Sequence, residues 1–434
     1  MPPTRPLLQA VLGAIALWAC LPAASQPPPT PPWPRIVGIE LSGNENTRDK
    51  VILRELDLAP GEPADPASIA RGRQAVSDLG LFREVGVTQR PVDGGVVLQV
   101  SLREKYHLLV LPRVDANSDR DVSYGAQLRW SNVWGLNHRL NLSVESGDYP
   151  EERDRREEKS VALAYRAPYL FDSPYELRTR LERRERVTPV IDPVSDEVTD
   201  DSFEETFDHA EFGVARDLRI GRPRAGWIVG GGVLWQRQDT AGVFAPPADG
   251  QAVALVGTAH YDDLRFHIYN ETGRRFSSRI EAASRDLGSD YDYTRATVDY
   301  VQSRAIGTTP HQTIEALASG GVLVGGPRSR NAFSLGGSSR MRGYDSDFLE
   351  GDRYYYGSLQ YLRPVKWNWL RLMAFVEVGG TDDDREGRRN GSPYANVGLG
   401  VRARLTWFVN IDIEAGWAYP LRGGDGANFF ASGN

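Results

Sequence analysis

Val397-Gly398-Leu399-Gly400-Val401-Arg402-Ala403-Arg404-Leu405 and, a short turn later, Val409-Asn410-Ile411-Asp412-Ile413-Glu414-Ala415-Gly416-Trp417 decide the fold of this chain. Apolar side chains return at every second position, with Gly, Asn, Arg, Asp and Glu between them. A period of two describes a strand with one apolar and one polar face. The same alternation runs from Val122 to Trp130 and from Leu140 to Val144. Charged inner faces with no helices to cover them fit a barrel that meets lipid outside and water inside.

Working outward, strands are expected near 107–115, 121–131, 138–147, 159–167, 175–186, 203–216, 226–238 and 251–262. A second set lies near 274–285, 291–303, 311–323, 354–363, 369–379, 394–405, 408–418 and 427–432, sixteen in all. An even number suits a single-chain bacterial barrel. Connector length gives an independent check, because outer loops are long and periplasmic turns short. Most odd connectors are long (148–158, 187–202, 239–250, 324–353, 380–393), and most even ones short (132–137, 168–174, 364–368, 406–407). The connector at 263–273 is long for a turn, and those at 116–120 and 286–290 are short for loops. The 44 Gly, 18 Tyr and 10 Trp agree with a barrel whose aromatic girdles mark both interfaces.

The N-terminus reads as an export leader over residues 1–25. Arg5 precedes an apolar run from Leu7 to Leu21, and Ala23-Ala24-Ser25 places cleavage before Gln26. Leu17-Trp18-Ala19-Cys20 has the outline of a lipoprotein site, with Trp18 bulky where a small residue belongs. Cys20 is the chain's only cysteine, so a mature chain would hold no disulfide. Residues 26–34 are a proline-rich linker, residues 35–104 a small domain and residues 105–434 the barrel. The small domain runs β-α-α-β-β. Its first strand is Ile36 to Leu41, Thr47 would cap a helix to Leu56, and Asp65-Pro66 starts a second that ends at Gly80. Strands follow at 82–89 and 96–103, turning at Asp93-Gly94-Gly95. Its core is expected within those 70 residues.

No catalytic constellation appears. The six histidines lack metal-ligand spacing, and no Gly-x-Ser-x-Gly elbow exists. Gly336-Gly337-Ser338-Ser339 lacks the lysine of a phosphate loop, and Asp382-Asp383-Asp384 reads as a solvated loop tip. No cofactor or metal is expected and the chain is read as a non-enzyme. A net charge of −7, from 51 basic and 58 acidic residues, argues against a nucleic-acid partner.

The longest outer connector holds Phe333 to Tyr344, a glycine-rich stretch with Arg342 beside Gly343. A guanidinium folded back into the lumen needs a carboxylate. Alternation along the thirteenth strand turns Arg371, Met373, Phe375, Glu377 and Gly379 inward, which makes Glu377 the candidate partner.

Here the chain resembles a known family. Residues 35–104 look like a POTRA domain, by their element order and by Gly43-Asn44 and Leu79-Gly80-Leu81-Phe82. Met341-Arg342-Gly343-Tyr344 resembles the (Val/Ile)-Arg-Gly-(Phe/Tyr) motif in the sixth outer loop of the BamA/TamA superfamily of outer-membrane assembly and secretion proteins. Phe375-x-Glu377-x-Gly379 resembles its Phe-x-Asp-x-Gly motif on the thirteenth strand, which the loop arginine contacts. Met341 replaces a β-branched residue, Glu377 an aspartate, and Gln360 a common glutamate; the chain ends without a terminal aromatic.

The resemblance implies an outer-membrane protein with its POTRA domain in the periplasm. Its partners would be unfolded outer-membrane or secreted polypeptides, outer-membrane lipid and a periplasmic or inner-membrane accessory protein. Clients would add to a sheet edge near Phe82, Val85 and Val87, and the barrel would provide a lateral gate or a pore. A single POTRA domain and a linker too short for a plug helix favour a reduced assembly factor over a dedicated secretion pore. The alternatives are a passive pore and a structural barrel or adhesin. A short last strand, 427–432, should leave the pairing with the first strand the weakest in the barrel.

Overall fold

In the small domain the order is β1 (Ile36–Ser42), α1 (Asp49–Leu56), α2 (Pro66–Asp78), β2 (Phe82–Val92) and β3 (Gly95–Glu104). These coordinates come from a computed structural model, which describes residues 33–116, 122–149, 156–191, 198–221, 223–245, 247–327, 332–382, 393–409, 411–424 and 426–433. The expected leader and most of the linker lie outside the described residues, as do Asp383 and Asp384.

Asp65 caps α2 by accepting hydrogen bonds from the amides of Ala67 and Ser68, with Pro66 in the first turn. Thr47 does not cap α1. That helix starts at Asp49 with no side-chain cap, and the Thr47 hydroxyl instead accepts from Asn132 Nδ2 of a barrel turn at 2.8 Å. β3 lies at the centre of the sheet, parallel to β1 and antiparallel to β2, so β2 is an edge strand. The core gathers Ile52, Leu56, Val76, Leu81, Phe82 and Val100, and it also takes in Val409 from the barrel. It is therefore not confined to residues 35–104, because a barrel turn supplies part of its wall.

The described residues form a nearly closed antiparallel barrel of sixteen strands, from Leu108–Ala116 to Asn428–Gly433. Most strands fall within a few residues of their expected positions. The fifth (Tyr175–Ile191, 17 residues) and sixth (Val198–Asp217, 20 residues) run well past them. The added residues, 187–191 and 198–202, carry no regular apolar alternation. Among the described residues no helix is long and apolar enough to cross a membrane.

Neighbouring barrel strands share long ladders, nine residue pairs between the first and second. The fifteenth (Ile411–Pro420) and sixteenth share only six. The ring closes between the sixteenth strand and the first, which are hydrogen-bonded neighbours, but their contact is the slightest between adjacent strands of the sixteen. The short last strand expected from the sequence is thus the weak point of the wall.

The small domain sits across the barrel's periplasmic mouth. Arg48 Nε donates to the Trp134 carbonyl at 3.0 Å, and Lys50 Nζ meets Asp172 at 2.7 Å. The Arg54 guanidinium lies 3.4 Å from the centroid of the Tyr169 ring. Glu55 pairs with Arg224 at 3.2 Å, and the Asp78 carboxylate accepts from the Phe266 amide at 2.8 Å. The long connector at 263–273 is explained by this contact: Arg265–His267 pairs back on Asn270–Thr272 to form a small hairpin that carries Phe266 to α2.

Candidate functional site

Between the eleventh strand (Thr313–Gly325) and the twelfth (Arg353–Pro364), the longest loop folds into the lumen. Phe333–Leu335 pairs with Leu349–Gly351 as a small antiparallel ladder, and the motif turns at its tip. The Tyr344 amide donates to the Met341 carbonyl at 2.9 Å, and the Gly337 amide to the Tyr344 carbonyl at 3.0 Å. Met341 takes a left-handed backbone, φ 55°, which an unbranched side chain enters at lower cost than the β-branched residue it replaces.

That turn aims Arg342 at the thirteenth strand (Leu370–Thr381). Along this strand Arg371, Met373, Phe375 and Glu377 are buried, while Leu372 and Val376 are exposed on the outer face. The Arg342 backbone amide donates to Glu377 Oε2 at 2.7 Å and its Nε to Oε1 at 3.0 Å. The Tyr356 hydroxyl donates to Oε1 at 2.7 Å. Arg342 is 3% exposed and Glu377 0%, so the pair is shielded from water. The guanidinium lies 3.7 Å from the Phe375 ring centroid and 5.0 Å from that of Phe430 on the last strand.

The two motif glycines mark close approaches. A Cβ on Gly343 would lie 2.7 Å from Asn396 Cβ, and one on Gly379 would lie 3.0 Å from Met341 Sδ. Tyr344 locks the other end, its hydroxyl 2.9 Å from the Ala395 carbonyl and 2.8 Å from that of Arg422.

Several partners were missed in the sequence. Arg342 Nη1 also reaches Glu414 Oε2 at 3.3 Å, and Glu414 in turn pairs with Arg402 at 2.5 Å. Arg402 donates to Gln360 Oε1 at 2.8 Å, so the amide at that position accepts from a guanidinium as a carboxylate would. Glu414 stood in the polar phase of its alternation, but nothing in that phase singles it out. Asn428 Nδ2 of the last strand donates to the Gly343 carbonyl at 3.2 Å, which ties the loop to the weak seam.

The sheet edge expected at Phe82, Val85 and Val87 falls on β2, where Phe82 is buried and Val85 and Val87 are half-buried against the small domain's core. What β2 presents is its outer row of backbone groups, with Glu84, Thr88 and Arg90 exposed along it.

At the domain contact, burial raises the Asp78 carboxyl to about 6, against the hydrogen bonds from Phe266 and Gln74 that favour its ionised form. Docking therefore favours the protonated acid. Its cost is absent below the ordinary carboxyl range, grows between about pH 4 and 6, and is full at neutral pH. The small domain is expected to dock more tightly at pH 5 than at pH 7, by about 1 kcal/mol. Spin-label distances between the domain and the periplasmic turns measure the docked fraction. Asp78→Asn should abolish its pH dependence, and a dependence that survived would exclude Asp78 as the source.

Among the described residues no group of three or more His, Cys, Asp or Glu is arranged to hold a metal. The family model of the Omp85 superfamily domain matches residues 132–429, and that of the POTRA surface antigen variable number repeat matches residues 34–105. Outer membrane protein assembly factor BamA of Neorickettsia risticii is 36% identical over 72 residues, 16% of this chain and 10% of that protein. BamA of Nitratidesulfovibrio vulgaris is 20% identical over 415 residues, 89% of this chain and 48% of that protein. The chain thus spans less than half the length of either relative. CdiB from Acinetobacter baumannii shares the fold, with a TM-score of 0.62 at 13% identity over 92% of this chain and 74% of that one.

Proposed function

Since the chain belongs to the Omp85 superfamily, with its barrel in the outer membrane and its POTRA domain in the periplasm, we propose that it inserts or translocates polypeptides by parting the barrel wall between its last and first strands. The observation that carries this reading is a lumen obstructed from both ends beside a wall whose last strand is short and only slightly joined to the first. Phe333, Leu335, Met341 and Tyr344 of the folded loop form one buried cluster with wall residues from Leu234 and Ala254 round to Tyr394. That cluster bridges the lumen, and the docked POTRA domain covers the opposite mouth. Such filling weighs against a passive pore. The seam instead has little pairing to lose, and Asn428 and Phe430 connect it to the loop's seat.

Clients of this class would be unfolded outer-membrane or secreted polypeptides, taken up by pairing with the backbone of β2. Its outer groups are unpaired within the domain, the arrangement that strand addition requires. The test is photocrosslinking in living cells from Glu84, Thr88 and Arg90. Adducts with unfolded outer-membrane or secreted polypeptides are expected. Their absence at all three positions, with the barrel folded, would overturn the edge as a client site.

A further inference from the structure

Pro364 and Pro420 end their strands, and Pro189 lies past the outermost residue pair with the fourth strand, Glu157–Val187. Pro112 is placed differently. Among the described barrel strands it alone puts a proline in the middle, at the centre of the first strand, Leu108–Ala116. A proline gives the ladder no N–H, so within sheets it is confined to bulges, to strand starts and to edges whose N–H side has no partner.

The register fixes the side to which Pro112 turns. The Ser131 amide donates to the His107 carbonyl at 2.7 Å, and Leu108 stands opposite Trp130. His107 and Ser131 are therefore a hydrogen-bonded pair, and such pairs recur at every second residue of an antiparallel ladder. Leu109, Leu111 and Arg113 direct their backbone groups to the second strand, while Leu108, Val110 and Pro112 direct theirs to the last. The same phase holds just before the strand, where the Tyr106 amide donates to the Trp407 carbonyl at 2.9 Å, away from the second strand. The missing donor thus faces the seam. The opposite side of this strand keeps all nine of its residue pairs.

We infer that Pro112 sets how readily the wall parts, by keeping the first strand an edge strand inside a closed barrel. This rests on the reading that the seam is the route for polypeptides. Proteins place proline on exposed edges to stop them from pairing along their length. Here the same device acts within the ring, so the last strand meets a partner with a rung missing at its centre. The carbonyls of Leu108, Val110 and Pro112 remain as acceptors, so an incoming strand can be held there without an unbroken ladder. The Pro112 ring is exposed on the outer face, and replacing it disturbs no buried packing.

Pro112→Ala and Pro112→Val each restore the donor. Amide hydrogen exchange of residues 428–433, in the full chain folded in detergent, measures parting of the seam. One added hydrogen bond should slow that exchange by roughly fivefold in both variants. Exchange in the third strand (His138–Tyr149) should stay as it was. Adding Val110→Pro to Pro112→Val moves the gap to the next seam-facing position and should return exchange to the original rate. Heat-modifiable migration shows that each barrel has folded, and the two single variants decide the matter if the double one does not fold. Unchanged exchange at 428–433 in both single variants would overturn the proposal. Slowing by Val alone would also overturn it, because the effect would then belong to the branched side chain and not to the N–H. Insertion of an unfolded outer-membrane polypeptide into vesicles should slow alongside the exchange. Slowed exchange with unchanged insertion would uphold the part of Pro112 in the wall and count against the seam as the route.

Discussion

Arg342→Ala and Glu377→Ala are each expected to unseat the lumenal loop, and the double variant to do little more than either alone. Removing one partner of a buried ion pair costs about 3–5 kcal/mol, because the other is left without its counter-charge. Arg342→Ala would leave a fully buried carboxylate with the Tyr356 hydroxyl and one backbone amide. Glu377→Ala would leave a guanidinium with the longer contact to Glu414 and two aromatic faces. Neither remnant restores the pair, so each change should shift the loop's opening by about 3 kcal/mol, roughly a hundredfold. Limited proteolysis between the eleventh and twelfth strands reads that shift as a rate. Glu377→Gln, which keeps the acceptor but not the charge, should fall between. Full additivity of the two alanine variants would sink the pairing, since residues that share one interaction do not add.

How far the sequence shows this site depends on how far each contact reaches along the chain. Alternation is local, so it placed Glu377 in the lumen and Leu372 and Val376 outside with no knowledge of any neighbour. The loop arginine was legible through the glycine beside it, where a Cβ would press on Asn396, and its strand through Gly379, where one would crowd Met341. Glu414 was not. It lies 72 positions from Arg342, and its place in the polar phase is shared with Asn410 and Asp412.

The same limit governs the domain contact. Thr47 looked like a helix cap because capping is the commonest local use of threonine before a helix. Its hydroxyl is taken instead by Asn132, 85 positions away. Val409 carried no sign that it closes the POTRA core, because an apolar residue near a turn beside lipid fits both roles. The fifth and sixth strands outran their expected ends for a different reason. The added residues, Val187-Thr188-Pro189-Val190-Ile191 and Val198-Thr199-Asp200-Asp201-Ser202, hold no apolar period to read.

Locking the seam with a disulfide is expected to abolish activity, and reduction to restore it. Closing a barrel in lipid demands that its first and last strands pair, since each unsatisfied backbone group costs several kcal/mol there. Here the last strand has six residues, and its contact with the first is the slightest between adjacent strands of the sixteen. A wall so weakly closed is what a gate requires, and it is also what a merely short terminus would produce. Activity under crosslinking separates the two. Cys20 is the only native cysteine, so after Cys20→Ala, pairs scanning 108–113 against 428–432 have no competitor. Bridging needs Cα atoms roughly 4.4–6.8 Å apart, so only a few pairs should form, and those report the register. In vesicles, insertion of an unfolded outer-membrane polypeptide should fall to background with the bond formed and recover once a reductant breaks it. A cysteine pair within the first and second strands, where nine residue pairs already hold the wall, should leave activity unchanged and controls for the chemistry. Full activity with the seam completely crosslinked would rule out the gate. Clients would then have to pass through the lumen, which requires the Arg342 loop to leave its seat.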